Sequence, residues 1–434
     1  MMGDLQGDAV RTTMKQNSTA TSKQTITSLC RRYEKQVIAM RRALHAIPEA
    51  SFKEKKTQAQ VAAFLRQAGI PARSRLAGTG VAGLITGGRA GGRGGKPAGR
   101  VRTVALRADM DALNLTERTG LPFASTHRGF MHACGHDTHM AMVIGAGMVL
   151  KALGPRLPGT VRLVFQPAEE TPPGGALGMI KAGVLKSPRV DAILGVHVDP
   201  AVPAGKVGIN AGPISAAADD FFAKITGRAG HGSAPHKGID AIYVAAQFIT
   251  ALQAVVSRRV NALDSVVVSV GKIAGGQKHN IIAETVELEG TVRTRRAELR
   301  RAVPAMIRQV LDGVCSAYGA RGEFRYLKGY PAVVCDEALT EQVRRWCKEI
   351  LGRANVIKTT GFEMGGEDFA YYARLVPGTF ILVGVTNPRK GKSFLLHQPE
   401  FDIDEDVLLL GVEALAYSAY RYLADDGGKL RETR

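Results

Sequence analysis

The chain has little of what would mark several protein classes. Five cysteines in 434 residues are too few, and odd in number, for a disulfide framework. No run is expected to reach the roughly 18 uncharged apolar residues that a membrane span requires; the nearest stretch, 140–150, is about half that length. The first thirty residues are polar, rich in Ser and Thr, and carry Asp4 and Asp8. Without an apolar segment there, a secretory signal is not expected. The composition of a disordered or collagen-like chain is also missing, since 45% of residues are apolar and 22% charged. A cytoplasmic globular protein with no membrane partner is the expectation, long enough for two domains.

The net charge of +19 raises the question of nucleic acid. Residues 1–106 hold 19 Lys and Arg against 5 Asp and Glu, whereas the remaining residues are nearly balanced. The excess follows neither a helix nor a groove-lining face, and no recognition motif accompanies it. Part of it lies in the half-glycine stretch 87–100, which reads as a peripheral flexible connection. No specific nucleic-acid partner is expected, and a non-catalytic polyanion-binding role is the competing reading.

Behind a leader expected to be disordered (1–27), 28–45 and 53–67 have helical periodicity. Residues 101–108, 160–166 and 191–198 read as strands, and 140–153 as an apolar helix, which together imply an α/β layer with a mostly parallel sheet. The pattern then becomes strand 220–226, helix 239–258, strands 265–273 and 281–293, helix 297–318 (with Pro304 near its start or kinking it) and strand 322–326. That order is the split βαβ unit. Helix 337–351, strand 379–385 and helix 405–423 return to the first style. The expected organisation is a discontinuous catalytic domain, 28–212 and 329–425, an inserted domain, 213–328, and a tail, 426–434.

Metal-ligand residue types collect where three strands are expected to end. Asp109-Met110-Asp111 follows the first, with Met131-His132-Ala133-Cys134-Gly135-His136-Asp137 soon after. Gln166-Pro167-Ala168-Glu169-Glu170 closes the second, and Gly195-Val196-His197-Val198-Asp199 the third. Ligands of open α/β sheets sit beyond the carboxyl ends of strands. In an extended loop Cys134 and His136 would share a face, and a thiolate, imidazoles and carboxylates suit zinc-like ions. Adjacent Glu169 and Glu170 would point apart on an extended segment, so that one binds metal while the other serves as a base of raised pKa. Each group alone is commonplace; their conjunction is what points to a metal site. A second, turn-rich cluster, Gly227 to His236, presents His231, with His279-Asn280 and Gly290-Thr291-Val292-Arg293 farther on.

Over roughly residues 30–425 the chain resembles the M20 metallopeptidase family, and within it the amidohydrolase branch of hippurate, indole-3-acetyl-amino-acid and N-acyl-amino-acid hydrolases. The resemblance rests on RRALHAIPEASFKE, ALRADMDAL, MHACGHDTHMAM, VFQPAEE, GVHVDP, GRAGHGSAPH, HNIIAETVELEGTVRT, GGEDFAYY and LHQPEFDID in that order. It implies a catalytic domain with an inserted ferredoxin-like lid that is also a dimerisation surface, hence a homodimer or higher homo-oligomer. It implies two divalent ions per subunit (Zn, Mn, Co or Ni), with Cys134 bridging and His136, Glu170, His197 and His397 around them. It makes Glu169 the general base and Asp111 a residue that orients a ligand. His231 resembles a lid histidine that reaches the scissile carbonyl, commonly from the neighbouring subunit, and Asn280 and Arg293 resemble lid residues that hold the substrate. Asp109 stands where the wider family has a metal histidine, and Cys134 where other branches have a bridging Asp. Thr171-Pro172-Pro173 lengthens a loop beside Glu170. The activity implied is cleavage of N-acyl-L-amino acids; the alternative is a dipeptidase or an N-acetyl-diaminopimelate-type deacylase.

Overall fold

Two seven-residue runs without an exposed position set the frame of the larger part of the chain. Thr103–Asp109 and Thr160–Gln166 are buried along their whole length, as strands covered on both faces must be. The computed structural model describes residues 3–88, 101–359 and 361–425, with side chains from residue 22. Most of the glycine-rich connection (89–100), the expected tail (426–434) and the side chains of the early leader lie outside the described residues.

The chain divides into two compact units. The larger comprises Met1–Gly212, Cys335–Gly361 and Tyr372–Arg434, and the smaller Pro213–Val334 and Phe362–Tyr371. The smaller unit thus takes in residues 329–334 and 362–371 beyond the expected 213–328. Backbone bonds tie them there: Ile214 N–H donates to Val333 O (3.0 Å), Phe362 N–H to Ile214 O (2.7 Å) and Ala216 N–H to Gly365 O (2.9 Å).

The larger unit is built on an eight-stranded sheet in the order Ala72–Leu76, Gly80–Thr86, Thr160–Gln166, Thr103–Asp109, Ala192–Pro203, Gly378–Thr386, Val207–Gly208, Val356–Ile357. Its central ladders are parallel, and the first two strands form an antiparallel edge. Helix His136–Ala152 is buried at every position from His136 to Leu150, the mark of a core helix. It packs against the N-terminal helix Gly3–His45 and the C-terminal helix Val407–Ala424. The expectation of a disordered leader to residue 27 needs correction. Residues 22–27 belong to the N-terminal helix and bury Ile26, the first of a stripe continued by Cys30, Val37, Met40 and Leu44. Spacings of three, four and seven residues keep these side chains on one face.

The smaller unit has the βαββαβ order: Ala217–Thr226, helix Ala241–Ala254, Val266–Gly275, Thr285–Thr294, helix Ala297–Ala317, Arg321–Lys328. The four strands form an antiparallel sheet in the spatial order third-from-edge typical of a split βαβ, Val266–Gly275, Thr285–Thr294, Ala217–Thr226, Arg321–Lys328. Phe221, Ala223 and Ile225 alternate inward and meet Phe248 and Leu252 of one helix and Ile307 and Leu311 of the other. Helix Ala297–Ala317 continues through Pro304. Asp240 caps the first helix by accepting the Ile242 and Tyr243 amides at 2.9 and 3.2 Å. One composition reading is corrected here: Ala241–Arg259 is long and apolar enough to cross a membrane by length and composition alone. Val244, Phe248 and Leu252, four residues apart, instead place one side in the sheet's core.

Candidate metal centre

Asp111 organises the loops beyond the sheet. The strand Thr103–Asp109 delivers it to a fully buried position, where its carboxylate accepts three donors. Ser51 Oγ donates to Oδ2 at 2.7 Å, the Glu169 amide to Oδ1 at 3.0 Å and the Glu170 amide to Oδ2 at 3.0 Å. The chain can turn both amides toward Asp111 because Ala168 sits at φ 53°, and Glu54 fixes that turn by accepting the Ala168 amide at 2.8 Å. Glu169 and Glu170 therefore lie on a bend, and the expectation that they point apart on an extended segment is not met. Each offers an oxygen within 4.8 Å of the other and of a His136 nitrogen.

Cys134 and His136 also meet by a different route from the extended loop expected. Gly135 adopts φ 82° and caps the helix that His136 opens, a conformation costly for any residue with a side chain. A Cβ at Gly135 would also come within 2.5 Å of Val198 Cγ2. His197 lies inside a strand, since Ala192–Pro203 continues its parallel pairing with Gly378–Thr386 as far as Pro203. His397, at φ 64°, is anchored by its amide to Ala133 O at 2.8 Å.

These segments bring five expected ligands together. Cys134 Sγ is 3.6 Å from His197 Nε2 and 3.4 Å from His397 Nε2. Glu170 Oε1 is 3.8 Å from His136 Nε2 and 3.6 Å from His397 Nε2. Cys134 belongs to two trios of donor atoms, one with His136 and His197, the other with Glu170 and His397. The tautomers follow from the other ring nitrogens: His136 Nδ1 donates to Asp111 O (2.9 Å) and His197 Nδ1 to Val198 O (2.6 Å). Each Nε2 is then left as a lone-pair donor, as metal-binding imidazoles require.

The residues fit a divalent cation. His136 Nε2 and Glu170 Oε1 are buried with no hydrogen-bond partner, and each such orphan costs about 1–3 kcal/mol unless something else satisfies it. The site also holds protons a cation would displace. Although burial alone would lower it, Asp109, Asp111 and Glu170 lift His136 to about 10. Burial pushes Glu170 up to about 7, and burial with the neighbouring carboxylates drives the Cys134 thiol well above its usual range. A bound cation reverses that preference and deprotonates a coordinating thiol.

Sequence reasoning missed the layer behind these side chains. Asp109 is engaged by Arg107 Nη1 at 2.8 Å and by His139 Nδ1 at 2.7 Å, while His139 Nε2 accepts the Val198 amide at 2.9 Å. With both its nitrogens committed, His139 is no ligand despite its place beside His136 and His197. Burial pushes it down to about 3, so the ring is neutral. Buried Asp137, next in sequence to His136, is held by Arg41 Nε and His45 Nδ1, each at 2.8 Å. The signal for these partners was the motif containing Arg41, His45, Ser51 and Glu54, which the residue-by-residue reading left without a role.

The remaining expected residues lie in the smaller unit. His231 is exposed and pairs with Ile281 across a two-residue ladder, and the Gly232 amide donates to Asn280 O at 2.9 Å. His231 and Asn280 are thereby neighbours. Arg293, half-buried on Thr285–Thr294, donates to Thr291 Oγ1 and, at 3.3 Å, to Val292 O.

Comparison with known proteins follows the same outline. Residues 105–421 match the model of peptidase family M20/M25/M40. The N-acetyl-L-cysteine deacetylase of Bacillus subtilis (strain 168) is 41% identical over 390 residues, covering 90% of this chain and 89% of its own. Thermostable carboxypeptidase 1 of Saccharolobus solfataricus is 37% identical over 395 residues, 90% of this chain and 96% of its own. The solved structure of the Bacillus subtilis YXEP protein, a dinuclear metal binding peptidase of the M20 family, shares the fold with a TM-score of 0.77. It is 35% identical and covers 91% of this chain and 99% of that one. The family match begins inside the strand that delivers Asp111 and ends inside the last helix, and so spans both units: the chain belongs to peptidase family M20/M25/M40 and is a hydrolase.

Proposed function

We propose that the protein is a metal-dependent amidohydrolase that cleaves N-acyl-L-amino acids to a carboxylic acid and the free amino acid. The observation that carries this reading is the double membership of Cys134, whose sulfur stands between a His136–His197 pair and a Glu170–His397 pair. Two divalent cations would be held by Cys134, His136, Glu170, His197 and His397, with Cys134 shared. When bound, such ions would polarise a carbonyl and lower the pKa of a water. A soft thiolate among imidazoles favours Zn, Co or Ni, with Mn also compatible.

The chain's own groups then move protons and hold charge. Glu169 takes a proton from the attacking water as its oxygen adds to the amide carbon. His231 donates a hydrogen bond to the developing oxyanion, aided by Asn280. As the carbon–nitrogen bond breaks, Glu169 passes its proton to the departing nitrogen. Arg293 pairs with the amino acid's carboxylate, for which a guanidinium fork is well shaped. The two named relatives support this substrate class: a deacetylase of an N-acetyl amino acid and a carboxypeptidase both cleave an amide whose nitrogen side bears a free carboxylate. In this reading the smaller unit supplies His231, Asn280 and Arg293 to the substrate, and two chains pair as a homodimer.

A hydrolysis panel of acyl-glycine, acyl-alanine and acyl-aromatic conjugates against free dipeptides, across several added metals, tests the assignment. Conjugates should be cleaved and dipeptides spared; the reverse preference would favour the dipeptidase alternative. Glu169→Gln should retain its metal while losing about 10²–10⁴-fold in kcat. Near-full turnover in that variant would remove Glu169 from the reaction.

A further inference from the structure

The turn that carries His231 constrains the ring more tightly than its exposure would imply. The backbone is held at three points: the bridge to Ile281, the Gly232 amide on Asn280 O, and the Ala234 amide on His231 O at 2.8 Å. Space between them is tight, because a Cβ at Gly232 would stand 3.0 Å from Asn280 O. Among the described residues the ring itself hydrogen-bonds to Ser233. The Ser233 amide donates to His231 Nδ1 at 3.1 Å, and Ser233 Oγ lies 2.7 Å from the same nitrogen.

An amide N–H cannot accept a hydrogen bond, so Nδ1 must be the acceptor. Which imidazole nitrogen carries the proton is set by the bond the other one makes. The neutral ring therefore bears its proton on Nε2, and the Ser233 hydroxyl donates to Nδ1 alongside the amide. Among the described residues no other hydrogen bond to the ring settles the choice, and the residue is exposed.

We infer that Ser233 is the positioning residue that holds His231 in the Nε2–H form, ready to donate to an oxyanion. This rests on the proposed oxyanion role of His231. The opposite tautomer would present a lone pair to a negative oxygen and repel it, so the local choice of proton position decides whether the ring assists the reaction or opposes it. The electrostatic contribution is made in the transition state, so losing it lowers kcat and leaves KM unaltered.

Three variants of the full-length, metal-loaded enzyme test this: Ser233→Ala, Ser233→Thr and His231→Ala. Steady-state kinetics are measured on an N-acyl amino acid, and the His231 tautomer is read from long-range ¹H–¹⁵N spectra of histidine-labelled protein, with His231→Ala assigning the signal. Ser233→Ala keeps the amide donor and loses the hydroxyl, so it should lower kcat about two- to threefold with KM within about twofold, and should shift His231 only in part toward the Nδ1–H form. Ser233→Thr, which keeps the hydroxyl, should restore both. A Ser233→Ala enzyme that keeps its kcat, or loses it while His231 remains wholly Nε2–H, overturns the inference. Near-normal kcat in His231→Ala would instead overturn the oxyanion role on which it rests.

Discussion

His136 and His231 belong to two differently built regions. In the larger unit, His136 is buried, its Nδ1 tied to Asp111, with Asp109 and Glu170 close to its other nitrogen. Behind it stand Arg41, His45, Arg107 and Asp137 with the neutral ring of His139, a polar layer sealed from water. In the smaller unit, His231 is exposed and, among the described residues, its ring hydrogen-bonds to Ser233. The difference tracks what each has to meet. Donors for a cation must be fixed before it arrives, because reorganising several charged groups at once is costly, and fixing them takes a buried hydrogen-bonded network. A group that meets a changing substrate needs one committed edge and one free edge.

The contrast can be broken most forcefully from behind the larger site. Arg41→Leu leaves Asp137 a buried carboxylate short of its main cation, and should cost about 3–5 kcal/mol of stability, read as a lower denaturation midpoint. Asp137 is held far below the usual carboxylate range, with burial opposed by Arg41 and then His45. The stability it contributes is therefore present above its unfolded pKa and lost only as pH falls through its depressed folded value. His231→Ala should do the opposite: a loss of about 10²–10³ in kcat, with stability unchanged within about 0.5 kcal/mol, as at other exposed positions. A large drop in melting temperature for His231→Ala would erase the distinction.

Asp111→Asn comes next in size. One amide oxygen cannot serve the Glu169 and Glu170 amides as two carboxylate oxygens do, and metal affinity should weaken about 10–100-fold, measured by competition with a chelator. A further effect is one of pH. His136 near 10 and a Cys134 thiol pushed up by burial mean that both hold protons which a cation must displace. Affinity should then rise with pH, about tenfold per unit for each proton released. Calorimetry in buffers of different ionisation enthalpy counts those protons; finding none would mean the cation binds elsewhere.

Much of the larger unit was readable because its strands and helix are rich in apolar residues buried along nearly their whole length, as in Thr103–Asp109, Thr160–Gln166 and His136–Ala152. The edge strand Ala72–Leu76 was not, since four of its five residues are exposed and its sequence, ARSRL, has no alternation. The ligand types were visible, but the backbone that joins them was not. Positive φ at Gly135, Ala168 and His397 makes the turns, and only glycine advertises such a conformation in sequence. The pairing of Asp109 with His139 and of Arg41 with Asp137 spans tens of residues and leaves no periodic trace. Nor did the polar Gln247, Thr250 and Gln253 allow residues 241–259 to be recognised as an apolar stretch, although they occupy the side of the helix away from Val244, Phe248 and Leu252.

The donor atoms around Cys134 come from segments scattered along the whole length of the chain, and His397 arrives last. A nascent polypeptide emerging from the ribosome carries Cys134 and His136 long before that histidine exists. On the proposed ligand set, the complete cage forms only after translation has passed residue 397, so tight cation capture would report that both ends of the ligand set have been made and brought together.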